Sequence, residues 1–370
     1  MTFEIEKKGL NNALEMASNA VARKTTNPVL AGIKMHATKD KLHIYATDLQ
    51  TGFHISLDSK NNDEEFSCVV DQKVFSEIVK TLPDGLIKIT YNEILEVESG
   101  NSSFKIPTMG AEEFPKVIPD VMGSTLELEK DTILKMIEKV IFCALKDSDP
   151  LSKNLNGVYW DFREGGYLTL VASDSYRLAL SENKIQEDTI PSSFLLSLKS
   201  MEELKIVLSN SKTEKIKLNF DGSRALFHFD DENIELVLNV VDAKYPNYTD
   251  IIPQAFKTKM TISNSQFMSS LKRVSIAAGK TEQIKMQIEE DSITFTANSP
   301  DVGEATETLP IEKDGEDMLI AYSPRFLREA IEKIETTEIE FNISGDINPT
   351  ILKPIQDNSY MYIVMPTRWA

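Results

Sequence analysis

Only two cysteines and four histidines occur in 370 residues. Cys68 and Cys143 each sit in an apolar stretch, FSCVV and VIFCAL, and read as buried free thiols. That excludes a disulfide framework and a cysteine zinc site. His36, His43, His54 and His228 show no paired spacing of the H-E-x-x-H kind. There is no G-x-x-x-x-G-K-[ST] loop for ATP and no G-x-S-x-G elbow. SDSYR, at 173–177, reads as a polar turn at a strand end rather than a nucleophile site. The acidic runs NNDEEF and IEEDS read as surface turns. The expectation is a protein that is not an enzyme, with no metal site and no cofactor.

Long apolar runs are missing too. Nothing approaches the ~18 uninterrupted apolar residues of a membrane span. The opening MTFEIEKKGL has no apolar signal core, so a cytoplasmic protein is expected. Positive charge is scarce, with 40 Lys and Arg against 58 Asp and Glu, a net charge of −18. That balance argues against a protein that grips nucleic acid through a basic face.

What the chain does contain is repetition. An alternating strand followed by an amphipathic helix occurs at TFEIEKKGLNNALEMAS, LELEKDTILKMIEKVIF and MTISNSQFMSSLKRVSI. Aligned on Phe3, Leu126 and Met260, the copies are 123 and 134 residues apart. A second series reads VVDQKVFSEIVKTL, LLSLKSMEELKIVL and LIAYSPRFLREAIEKI. Aligned on Val69, Leu195 and Leu319, its spacings are 126 and 124. Each helix of this series precedes a strand: IKITYN, IKLNFD, IEFNIS. The joints EEFPKVIP and AKYPNYTDIIP also match. Gly165-Gly166 marks a hairpin turn. Leu134, Ile137, Ile141 and Leu145 form one helical stripe. The fold expected is α+β: three similar domains over 1–122, 123–253 and 254–370, each with two helices and dominated by antiparallel sheet.

The last residues belong to this pattern. FKIPT at 104–108 and YIVMPT at 362–367 are the final strands of the first and third copies. Beyond the third lie Met365, Pro366 and Trp369, a proline-stiffened apolar tail suited to lining a shallow peptide groove.

Over its whole length the chain resembles the bacterial DNA polymerase III beta subunits, the sliding clamps. The resemblance rests on NPVLAGI, YATDLQTG, LNGVYWDF, VASDSYRLAL, YPNYTDIIP and YIVMPTR in this order. It implies the DNA clamp fold, with two chains joined head to tail in a ring of six domains. Such a homodimer encircles duplex DNA without reading sequence and acts as a processivity factor. The partners it implies are the alpha-type subunit of DNA polymerase III, the clamp loader, and other polymerases and repair proteins carrying short clamp-binding motifs. An acidic ring is no contradiction, because DNA held by threading needs only weak attraction at the inner wall. An acidic interaction scaffold that never touches DNA, and a hydrolase built from scattered carboxylates, are the competing readings.

The resemblance also implies sites. Among the cations of the helix segments (Lys73, Lys80, Lys135, Lys139, Lys205, Lys272, Arg273, Arg325, Arg328, Lys333) and after the first helix (Arg23, Lys24), it favours Lys24, Lys73, Lys80 and Lys199 as DNA-facing. A partner-peptide groove would use Leu155, Ser173, Ser175, Tyr176, Arg177, Leu178, Pro246, Ile251, Val364, Met365, Pro366, Thr367 and Arg368. Leu155, Leu178, Ile251 and Val364 would be its apolar walls. Arg177 and Arg368 would offer hydrogen bonds or charge to the bound peptide. Thr367 stands where relatives often carry a gating methionine, so the empty groove should be more open here. The dimer joint would involve Phe75 and Ile78 against Ile276 and Ala277.

Overall fold

A computed structural model describes the chain except residues 62–64, 120–124, 147–151, 186–191, 280–281 and 369–370. Trp369 and Ala370 therefore lie outside the described residues. Six α-helices occur among those described: α1 (Lys7–Ala17), α2 (Gln72–Thr81), α3 (Lys130–Val140), α4 (Leu198–Asn210), α5 (Asn264–Ala278) and α6 (Pro324–Ile331). Each follows a strand almost without a linker, as both repeat series require. Local chemistry sets the starts. Asp71 caps α2 by accepting from Val74 N at 2.8 Å, and Pro324 opens α6 where its missing N–H costs nothing. Pro83 forces Leu82 to an extended ψ of 153° and ends α2.

The chain forms two compact units, residues 1–134 with 199–240, and residues 135–198 with 241–370. In the first unit an eight-stranded antiparallel sheet runs in the order Thr125–Glu129, Lys215–Phe220, Arg224–Phe229, Ile234–Asn239, Thr51–Asp58, Lys41–Thr47, Gly32–Ala37, Phe66–Asp71. A five-stranded sheet ends on the edge strand Ser102–Pro107. In the second unit a nine-stranded sheet pairs Arg177–Lys184 of the middle repeat with Tyr360–Val364 of the last. A four-stranded sheet ends on the edge strand Gly303–Pro310. Alternating inward residues build the cores, including Phe53 and Phe227 in one unit and Trp160, Tyr322 and Tyr362 in the other. Gly165 and Gly166 take φ of +79° and +76° at the expected hairpin.

Strand register makes the triplication explicit. Phe3, Leu126 and Met260 lie opposite Ile89, Leu218 and Phe341, each the fourth residue of the strand that follows the second helix of its repeat. The second series needs a correction. Lys34 pairs with Val69 and Tyr159 with Leu195, but their counterpart Lys285 pairs with Ala321, not Leu319. The core positions Phe75, Met201 and Leu327 then each stand six residues further on. A shift of two leaves every side chain on the same face, so alternation alone could not reveal it.

Candidate binding groove

The groove residues are built around one turn. Asp174 Oδ1 accepts from the backbone N–H groups of Tyr176 and Arg177, both at 3.1 Å. Ser173 Oγ donates to Arg177 O at 2.8 Å and accepts from Ser175 N at 3.2 Å. Ser175 takes φ +74°. SDSYR is thus a strand-end turn held by short side chains that mimic backbone. The first repeat repeats it with Thr47, Asp48 and Leu49 (φ +73°). Tyr176 is left 66% exposed, and its carbonyl accepts from Met365 N at 2.9 Å, tying turn to tail.

Leu178 is cross-strand from Ile363, and both belong to one apolar cluster with Leu195, Ile351, Tyr245 and Tyr248. Leu155 and Ile252 pack against its margin. Pro246 is exposed, and Ile251 shows 41% of its surface beside the packed Ile252. Leu155, Leu178 and the linker 245–252 therefore do come together. Val364 does not face them. It is fully buried opposite Arg177, on the other face of the strand, and the residue sharing the face of Leu178, which sequence reasoning missed, is Ile363.

Arg177 needs a second correction. Its guanidinium donates to Asp174 Oδ2 (3.0 Å), Glu329 and Phe142 O (3.1 Å), and lies 4.3 Å from the Phe326 ring centre. With its side chain 6% exposed, these donors serve the fold, not a ligand. The tail continues as Thr367 N donates to Ala321 O at 2.8 Å and Gln283 Nε2 donates to Arg368 O at 3.2 Å. Met365 to Arg368 line an open hollow of about 810 Å³ with Leu319 and Ile347, which are 50% and 71% exposed. Lys285 and Asp346 stand at its margin.

Lys24, Lys73 and Lys80 are exposed. Lys80 borders a polar hollow of about 470 Å³ with Lys8, Asn11 and Asn12, none of which sequence reasoning singled out. Lys199 differs, because its ammonium is bonded to the carboxylate of Asp48 and stands 3.8 Å from Glu203. Of the joint residues, Phe75 is fully buried and Ala277 is 5% exposed, so both are core of their own chain. Ile78 is half-buried, and Ile276 is 71% exposed. Val74, one residue before Phe75, is the exposed apolar side chain of α2 at 46%.

Three α+β repeats that continue one another's sheets through edge pairing define the DNA-clamp class of fold. Known proteins agree. The sequence matches the DNA polymerase III beta subunit N-terminal domain over residues 1–119, the central domain over 127–247 and the C-terminal domain over 249–368. The structure is similar to that of a DNA polymerase III beta subunit from Thermotoga maritima, with 38% identity, a TM-score of 0.93 and both chains fully covered. A sliding clamp structure from Bacillus subtilis superposes with a TM-score of 0.92 at 25% identity, again over the whole of both chains. A curated Beta sliding clamp from Bacillus subtilis strain 168 is 27% identical over 384 residues, covering all of both sequences. The chain belongs to the DNA polymerase III beta subunit family.

Proposed function

We propose that the chain is a DNA sliding clamp, a processivity factor without catalysis of its own, closed as a head-to-tail homodimer around duplex DNA. The observation that carries this is the register of the seams. Within the chain, Leu236 of the second repeat faces Phe53 of the first, and Tyr362 of the third faces Ala179 of the second. Stepping through the same ladders, Phe104 occupies the place of Leu236 and Tyr362, and Ala305 the place of Phe53 and Ala179. These two residues lie on the edge strands Ser102–Pro107 and Gly303–Pro310. A third seam, made between chains, pairs Phe104 with the Ala305 position of a second copy and brings Lys105 opposite Glu304. Two such seams close the assembly, and unpaired edges of this kind are otherwise a liability.

Threading explains how a chain of net charge −18 keeps DNA. Lys24, Lys73 and Lys80 supply weak phosphate contacts that favour sliding. The apolar cluster of Leu155, Leu178 and Ile363, with Ile251, Tyr176, Pro246 and the tail Met365–Arg368, takes short motifs with leucine or phenylalanine anchors. Through it the clamp tethers DNA polymerase III, the clamp loader, and other polymerases and repair proteins in the cytoplasm. The repeat boundaries 1–122, 123–253 and 254–370 serve as the domain limits of this reading.

The test is a Lys105→Cys/Glu304→Cys chain, with both residues exposed and the native Cys68 and Cys143 buried. Either spacing of an antiparallel pair falls within disulfide range. Mild oxidation should give a covalent species of roughly twice 41.6 kDa. That species should stay on nicked circular DNA through denaturant and leave once the circle is cut. A solitary subunit at working concentration, with no cross-link, would sink the proposal.

A further inference from the structure

All four histidines lie along one face of the eight-stranded sheet, although linear spacing hides it. Register is the reason. His36 faces His43, Tyr45 faces His54, and Glu235 faces both His54 and His228. His43 Nδ1 and His54 Nε2 stand 3.1 Å apart. His54 Nδ1 is 2.8 Å from Glu235 Oε2, and the Tyr45 ring stacks on His54 at 4.5 Å. A carboxylate only accepts, so His54 donates from Nδ1. The lone pair of the neutral ring is then on Nε2, aimed at His43. A second-ring N–H given to a carboxylate is how metal-bound histidines are commonly oriented.

We propose that His43 Nδ1 and His54 Nε2 form a two-imidazole site for a divalent transition-metal ion of the zinc, nickel or copper class, with Glu235 as the orienting carboxylate. Nitrogens 3.1 Å apart, each ~2.0–2.1 Å from one ion, subtend roughly 100°, between the square and tetrahedral angles. In the ion-free protein one proton on His43 Nδ1 bridges the pair. The ion takes its place when that proton moves to His43 Nε2. No cluster of three or more candidate ligands occurs among the described residues, so water completes the coordination and the ion exchanges. His54 is 13% exposed at its side chain, which leaves the site reachable. Imidazole donors select against magnesium, which prefers oxygen. A bound ion ties strand Lys41–Thr47 to Thr51–Asp58 and, through Glu235, braces the seam between the first two repeats.

The experiment titrates the full chain with nickel or zinc chloride against a competing indicator. One saturable site per chain is expected, with none for magnesium chloride. His43→Asn or His54→Asn should abolish it, and Glu235→Gln should weaken it ~10–100-fold while keeping the stoichiometry. The electron spin resonance of bound copper should show two imidazole nitrogens. His43→Asn leaves the His54–Glu235 bond in place and carries the test if His54→Asn melts early. Absence of saturable uptake by the parent chain, or uptake unchanged in His43→Asn, overturns the proposal.

Discussion

Leu178 lies directly opposite Ile363 across the strand pair that joins the second and third repeats. Opposed residues share a face of the sheet, so the next residue, Val364, must point the other way. The wall of the proposed groove is decided by this parity.

Ile363→Ala should therefore lower affinity for a leucine- or phenylalanine-containing peptide about tenfold, read by fluorescence anisotropy. Val364→Ala should leave that affinity nearly unchanged. Both should cost about 1–4 kcal/mol of stability, since both side chains are buried. Equal losses of affinity in the two variants would contradict the assignment.

Arg177→Ala should destabilise the chain by about 3–5 kcal/mol in urea unfolding, because Asp174 and Glu329 lose their shared cation. Arg177→Lys should recover little, since one ammonium cannot serve three acceptors in a planar fork. A small stability loss with a large loss of peptide binding would return Arg177 to the ligand side.

Glu203 is 4% exposed, and neither of its carboxylate oxygens has a hydrogen-bond partner. Burial holds its carboxyl up at about 7, against the opposing pulls of the Thr51 hydroxyl and the Lys199 ammonium. Unfolded, it titrates near 4.5. Between those values the native state binds a proton that the unfolded chain does not, so stability falls as pH rises from about 4.5 to about 7 and then levels. Glu203→Gln should match the parent near pH 4 and exceed it by up to about 3 kcal/mol near pH 8. Parallel curves for the two proteins would exclude this role.

Replacing Lys24, Lys73 and Lys80 together by alanine should lower the salt dependence of DNA association by up to about three contacts' worth. Retention on a sealed circle should persist. Lys199→Ala should leave the salt slope alone and change stability by about 1 kcal/mol or less, its half-exposed ion pair being partly screened. A slope altered by Lys199→Ala as much as by the triple change would restore it as a phosphate contact.

Much of the fold was legible because strand-to-helix transitions and turn residues are local, but the stripe Leu134, Ile137, Ile141 and Leu145 was misplaced, since α3 ends at Val140 and buries Ile133, Met136, Ile137 and Val140. The three strands before α1, α3 and α5 could be aligned residue by residue. The second series slipped by two at Leu319, where a period of two carries no phase. The segments expected to line a groove, SDSYR, the linker tyrosines and the tail, do converge. What stayed hidden was side-chain direction. Arg177 turns inward to Glu329, Val364 faces away from Leu178, and Phe75 is core while its neighbour Val74 is exposed. The histidine row was invisible for a related reason, because its members are neighbours across strands and not along the chain.

The two seams inside the chain differ from the proposed third in one respect. Covalent connectors run from the first repeat to the second and from the second to the third, so a ladder that parts within the chain re-forms at the high local concentration its tether enforces. Between chains there is no tether. With the same kind of backbone ladder at every joint, the untethered joints are where a passage for DNA would open, and a tandem fusion of two chains would leave a single gate.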